Sequence, residues 1–286
     1  MYETFYGLKE KPFSMQPDPS YLYLSEGHRS ALVMLEYGLL SNAGISVLTG
    51  AIGSGKTTLT LQLLNQIEQN VAVGLISNTN QSFGELLQWV LLAFKLEYRD
   101  GGKVELYETF VNYVMEIYAQ GRRTILIVDE AQNLSSESLE ELRMLSNINA
   151  DKDQALQIIL VGQPELRKKL CHPGMLQFAQ RIAVEHHLKP LNYAETKNYI
   201  RHRIKVADGR PELFDVLACK AAYYFSQGIP RLINILCDTA LVYGFGEGMY
   251  RITGTLISEV AHEKIKGGLF PAPVTKVSKA AKEEVV

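Results

Sequence analysis

Between residues 45 and 190 short apolar runs alternate with longer stretches whose apolar positions recur every three to four residues. The runs at 45–49, 71–77, 124–128 and 156–161 are short and rich in β-branched residues, which predicts strands. The stretches between them, at 56–69, 83–95, 105–120 and 135–147, predict helices. Such alternation implies crossover connections and a parallel sheet covered by helices on both faces. A further strand at 182–188 closes this domain. Ahead of the first strand, Ser25 offers an N-cap for a helix to about residue 40, with Leu32, Leu35 and Leu39 on one face. Residues 1–24 mix aromatics with Pro12, Pro17 and Pro19 and read as an irregular lead segment. After Pro190 the period changes, and 193–206, 212–225, 231–243 and 255–266 all read as helices with no strand between them. The expected organisation is therefore a lead segment (1–24), an α/β domain (25–190), an all-helical domain (191–266) and a flexible tail (267–286) that carries Pro271 and Pro273.

Composition narrows the class without naming it. Hydrophobic residues make up 47% and charged residues 21% of 286, as in ordinary globular proteins, and a formal net charge of −2 provides no global attraction to nucleic acid or anionic lipid. Cys171, Cys219 and Cys237 are far apart and odd in number, which fits a reducing compartment. Residues 1–11 lack the apolar stretch of a secretory signal, and the most apolar segments, 86–94 and 124–128, are too short to span a bilayer. A cytoplasmic protein with no membrane span is expected.

The strongest chemical signal is Gly50-Ala51-Ile52-Gly53-Ser54-Gly55-Lys56-Thr57, which satisfies G-x-x-x-x-G-K-[ST] between a predicted strand and a predicted helix. Its glycines let backbone N–H groups turn toward phosphate oxygens, and the helix, opening through Thr57 and Thr58, presents its positive end to the same anion. Lys56 suits the β- and γ-phosphates of ATP, and the Thr57 hydroxyl suits Mg²⁺. The apolar strand at 124–128 ends in Asp129 and Glu130, at the sheet edge where ligands meet α/β proteins. Asp129 is expected to serve magnesium, and Glu130 to orient or deprotonate the attacking water. Gln163, after the strand at 156–161, is placed to hold that water or the γ-phosphate, or else to cap the short helix starting near Pro164. Arg181 and Arg231 are candidates for transition-state charge, weighed against ordinary surface ion pairs.

The segments Phe5-Tyr-Gly-Leu, Pro17-Asp-Pro19, Tyr23-Leu-Ser-Glu-Gly-His28-Arg29, the phosphate loop, Val128-Asp-Glu-Ala-Gln-Asn-Leu134, Glu141-Leu-Arg-Met-Leu-Ser-Asn147, Gly162-Gln-Pro-Glu165, Gln180-Arg181 and Gly228-Ile-Pro-Arg231 follow one another in the order seen in a known family. Over residues 1–266 the chain resembles the ExeA-type AAA+ ATPases, which include general secretion pathway protein A and exosortase- or MSHA-pilus-associated ATPases. The resemblance implies a P-loop AAA+ core with a helical lid. It also implies Gln163 as sensor 1, Arg181 as an arginine finger reaching a neighbouring subunit, and Arg231 as sensor 2. Further implications are self-association into a ring or filament with ATP between protomers, adenine near 21–29, and a role in an inner-membrane secretion, pilus or polysaccharide-export system reached through a partner. Secretion members commonly continue into a membrane span and a peptidoglycan-binding domain. This chain ends about twenty residues after its last predicted helix, so direct cell-wall binding is not expected.

Weaker signals receive structural readings. His186 and His187 point to opposite faces of a strand and do not suit a shared metal. Arg201, Arg203, Lys205 and Arg210 read as a solvated helix face, and Tyr223, Tyr224 and Phe225 as core. The alternative function is an ATP-dependent DNA-binding transposition regulator that recruits a transposase, which the family motifs disfavour.

Overall fold

The computed structural model describes residues 1–67, 70–77, 85–99, 102–150 and 153–273. In chain order these form α1 (Glu3–Tyr6), α2 (Glu26–Leu40), β1 (Ile45–Gly50), α3 (Lys56–Gln66), β2 (Val71–Ile76), α4 (Leu86–Ala93), α5 (Lys103–Ala119) and β3 (Arg123–Val128). They continue through α6 (Ser136–Leu145), β4 (Asn149–Ala150), β5 (Asp153–Gln154), β6 (Leu156–Gly162), α7 (Pro164–Leu170), α8 (Leu176–Ala179) and β7 (Ile182–Leu188). The last four helices are α9 (Tyr193–Val206), α10 (Val216–Ser226), α11 (Pro230–Gly246) and α12 (Gly254–Lys266).

Two compact units emerge: Pro17–Lys189, and Met1–Gln16 together with the chain from Pro190 onward. In the first, five parallel strands lie in the order β2-β3-β6-β1-β7. Alternating side chains divide the core between the two faces. Val47, Leu126, Val128, Ile158 and Leu160 pack with residues of α4 to α8, whereas Leu48, Ile125, Ile127, Ile159 and Val161 pack with α2 and α3. Each such side chain removed from water contributes about 1.5–3 kcal/mol, and the three inner strands are buried along almost their whole length. The register sets Thr49 of β1 beside Gly162 of β6, and Leu160 of β6 beside Val128 of β3. The residues that follow these three strands therefore leave the sheet at one carboxyl edge.

In the second unit α10 packs against α9, α11 and α12. Met1–Gln16, expected as part of a separate lead segment, is built into this helical unit. The Tyr2 hydroxyl donates to Asp238 Oδ1, Phe13 meets Phe214 edge-on at 5.6 Å, and the Arg203 guanidinium donates to the Pro12 and Ser14 carbonyls and the Tyr199 hydroxyl. Arg203 and Tyr199 are buried, so the expected solvated basic face loses its central member to the core. Tyr224 departs in the other direction and is exposed rather than core. The helix expected over 212–225 begins at Val216, because Asp215 caps it by accepting from Ala218 N–H, and Pro211–Leu213 form a separate 3₁₀ turn. The expected residues 68–69, 83–84 and 274–286 lie outside the described residues. Among the described residues no helix is long and apolar enough to cross a membrane.

Candidate functional site

The loop from Gly50 to Gly55 leaves the end of β1 and enters α3. Gly53 and Gly55 have φ of 75° and 97°, a region that L side chains rarely adopt, so glycine is required at both. Gly50 is required for space, since a Cβ there would lie 2.9 Å from the Leu188 carbonyl oxygen. Ala51 and Ile52 form the outer turn, with Ile52 exposed, while Ser54 is buried and its Oγ has no hydrogen-bond partner among the described residues. Gly55, the N-cap of α3, has no side chain to cap the helix, which leaves the first-turn N–H groups around Lys56, Thr57 and Thr58 to an anion.

Lys56 is buried, and its ammonium donates to the Gly50 and Ala51 carbonyls at 2.9 and 3.1 Å. Burial pushes its pKa below the ordinary lysine value, opposed by the negative charges of Glu130 and Asp129. The Thr57 hydroxyl donates to Asp129 Oδ2 at 2.9 Å, while Asp129 Oδ1 accepts from the Glu130 N–H at 2.8 Å. A hydroxyl beside a carboxylate is a hard oxygen pair suited to Mg²⁺, and with the unpartnered Ser54 Oγ and the uncapped α3 N–H groups it fits a magnesium–triphosphate ligand.

Glu130 occupies the left-handed region at φ 52°, a strained choice for a non-glycine residue, and caps the 3₁₀ turn Ala131–Asn133. Its Oε2 accepts from Gln163 Nε2 at 3.0 Å and from Gln132 Nε2 at 2.5 Å. Burial raises the Glu130 pKa, but the hydrogen bonds from Gln163 and Gln132 and the charge of Lys56 outweigh it, and the carboxyl is held below its ordinary value. Gln163 stands at the N-cap position of α7, yet its side chain makes no cap bond. Of the two expectations for Gln163, the cap is overturned: the amide is spent on Glu130.

The structure thus brings together Lys56, Thr57, Asp129, Glu130 and Gln163. Arg181, between α8 and β7, is exposed, and its guanidinium has no hydrogen-bond or ion-pair partner among the described residues. Arg231 is the second residue of α11 in the helical unit and is also exposed. Two residues that the sequence reading left without a role lie against the site. Gln132 is one. His28 is the other: its Nδ1 meets Ser25 Oγ at 2.7 Å and its Nε2 meets the Ser54 carbonyl at 3.1 Å. A carbonyl only accepts, so Nε2 carries the proton and Nδ1 accepts from the serine hydroxyl. Both lie inside segments that carry the family resemblance, but neither had an individual role from its residue type or spacing. His187 Nδ1 lies 2.9 Å from Thr49 Oγ1, at the strand end that leads into the loop.

Comparison with known proteins agrees with this fold. The AAA domain family matches residues 39–170. General secretion pathway protein A of Aeromonas hydrophila is 40% identical over 264 residues, which is 92% of this chain and 48% of that protein, so the chain spans about half the length of the curated relative it matches. Among solved structures, the Aeropyrum pernix ORC2 protein in ADPNP–ADP complexes aligns with a TM-score of 0.66 at 18% identity, over 89% of this chain and 72% of that one. Cdc6p from Pyrobaculum aerophilum gives 0.64 at 15% identity (84% and 67% covered), and the Thermotoga maritima RuvB Holliday junction branch migration motor 0.55 at 16% (84% and 69%). At such identities the structural likeness speaks for the fold, whereas the 40% match to a secretion protein speaks for the lineage. With the phosphate loop, the acidic pair and the amide converging at one sheet edge, this chain belongs to the ExeA-type AAA ATPases.

Proposed function

We propose that this chain binds ATP and magnesium at the carboxyl edge of its sheet and hydrolyses the nucleotide to drive assembly or operation of an inner-membrane secretion, pilus or polysaccharide-export system. The observation that carries the chemistry is the convergence of Lys56, the Thr57–Asp129 pair and Glu130 with its two amides. The loop from Gly50 to Thr58 holds the phosphates through backbone N–H groups and Lys56. Thr57 and Asp129 hold magnesium, which when bound offsets phosphate charge. Glu130, kept ionised by its hydrogen bonds, accepts a proton from the water that attacks the γ-phosphorus, and ADP leaves with the electron pair of the broken bond. Gln163 fixes that carboxylate and faces the same water. The system served is inferred from the secretion relative.

Arg181 acts on the γ-phosphate of a neighbouring copy, which is supported by an exposed guanidinium with no partner of its own among the described residues. Fingers of this kind are worth about 10³–10⁵ in turnover. Arg181→Ala is expected to bind ATP normally and hydrolyse it poorly. Mixed with Lys56→Ala, also inactive alone, it is expected to recover activity, because an intact loop in one copy then meets an intact finger in another. No recovery on mixing, with full activity of dilute Arg181→Ala, would overturn the trans assignment.

A further inference from the structure

Gln132 touches both parts of the hydrolytic apparatus at once. Its Oε1 accepts from the Gln163 backbone N–H at 2.9 Å. Because a backbone N–H can only donate, the amide has one permitted orientation, and its Nε2 is the atom that faces Glu130 Oε2 at 2.5 Å. Gln163 Nε2 donates to that same oxygen at 3.0 Å. Gly162 leaves the necessary room: a Cβ there would come within 3.0 Å of Gln132 Oε1 and 2.8 Å of Leu166 Cδ2. The backbone is fixed as tightly as the side chain, since Lys169 Nζ donates to the Gln132 and Leu134 carbonyls at 2.8 and 2.6 Å. Lys169 and Gln163 belong to opposite ends of the α7 segment, so that one helix grips the Ala131–Asn133 turn at one end and the Glu130 carboxylate at the other.

The geometry points to Gln132 as a positioning residue that ties the Glu130 carboxylate to the backbone of Gln163, so that any displacement of Gln163 or α7 is transmitted to the group that handles the attacking water. This rests on the reading of Glu130 as the proton acceptor. A glutamine that merely stabilised the turn would contribute to melting temperature alone. A positioning residue also sets where the carboxylate points, because one of the two amide donors that hold Oε2 is lost with it, and its loss is therefore felt in kcat rather than in KM.

The test uses the full chain and two variants. Gln132→Met keeps length and loses both hydrogen bonds; Gln132→Asn keeps the amide but is too short to span Gln163 and Glu130, and is read in the same way if the first fails to fold. Steady-state ATP hydrolysis gives kcat and KM, and a thermal melt gives stability, for the parent and each variant. A kcat about 10- to 100-fold lower is expected with KM within about twofold, as for a misplaced catalytic group. A variant that melts lower yet turns over like the parent would overturn the proposal while leaving Glu130 in its role. Parental turnover in Glu130→Gln would instead remove the base and overturn the inference with it, a failure distinct from the first.

Discussion

Replacing Glu130 by glutamine separates binding from hydrolysis more cleanly than any other single change. Glutamine has the same length and meets the same cost of a left-handed backbone at φ 52°, so the substitution isolates charge and basicity. In the parent, Oε2 takes two amide N–H donors. Glutamine can keep both only by turning its oxygen toward Gln132 and Gln163, which presents its NH₂ where the other carboxylate oxygen was. A group that accepted a proton from water is replaced by one that donates, and the water is both unactivated and misoriented. General-base catalysis contributes about 10²–10⁴ in rate, or ~2.7–5.4 kcal/mol at 1.36 kcal/mol per decade. Removing a negative charge near Lys56 also lessens repulsion of the triphosphate, so ATP should bind as tightly as in the parent or tighter. Calorimetric titration with ATP gives the first quantity and phosphate release at saturating ATP the second. Loss of one charge-assisted hydrogen-bond pattern costs about 1 kcal/mol and moves the melting temperature by ~2–4 °C, so misfolding does not mimic the effect. Turnover within about threefold of the parent would refute the assignment, since it is far above what loss of a general base allows.

The free protein should lose kcat/KM on the alkaline side at lower pH than an ordinary lysine would dictate, because burial depresses the Lys56 pKa and the deprotonated amine no longer holds phosphate; a pH profile of kcat/KM checks this, and an alkaline limb at the ordinary lysine position would contradict it. Gly228→Ala should destabilise the helical unit by about 2–5 kcal/mol, since a Cβ at φ 74° would lie 1.9 Å from the Leu191 carbonyl oxygen; a denaturant melt showing a loss below about 1 kcal/mol would mean that the backbone relaxes freely. Arg203→Met should cost about 3 kcal/mol and expose residues 1–16 to protease, because the Pro12 and Ser14 carbonyls lose their charged donor; an unchanged digestion pattern would show that the aromatic contacts alone hold the segment.

The sheet and most helices were legible because each carries its own period: five parallel strands appear within a residue or two of the apolar runs, and Ser25 caps α2 as its position suggested. The phosphate loop and acidic pair were legible because their residue types serve one chemistry at fixed spacing. What failed to show was anything decided at long range. Arg203 sits in a polar helix face by sequence, and only the docking of residues 12–14 makes that position core. Tyr224 lies beside Phe225 in an apolar run, but one residue's rotation on α10 turns it to solvent. The hairpin β4–β5 is too short to have a period. Gln132 and His28 act through partners 31 and 26 residues away, a relation that no local pattern encodes.

Those unpredicted contacts share a physical logic with the predicted ones. The carboxyl edge collects features that each oppose folding: a buried lysine with a lowered pKa, a non-glycine residue in the left-handed region and a buried serine hydroxyl with no partner among the described residues. None is stabilising by itself, and left-handed strain alone costs about 1–3 kcal/mol. They persist because rigid neighbours over-determine them. His28 ties the Ser54 carbonyl to α2, Lys169 ties the 131–133 turn to α7, and Gln132 joins that turn to Gln163. Each brace reaches the site from a helix whose other face is sunk in the core, as Leu32 and Leu35 are on α2 and Leu166 and Leu170 on α7. The core therefore supplies the free energy that keeps the loop and the carboxylate in otherwise unfavourable conformations. It follows that loosening a brace should first be felt in the order of the site, in nucleotide affinity for His28 and in turnover for Gln132, before it is felt in global stability.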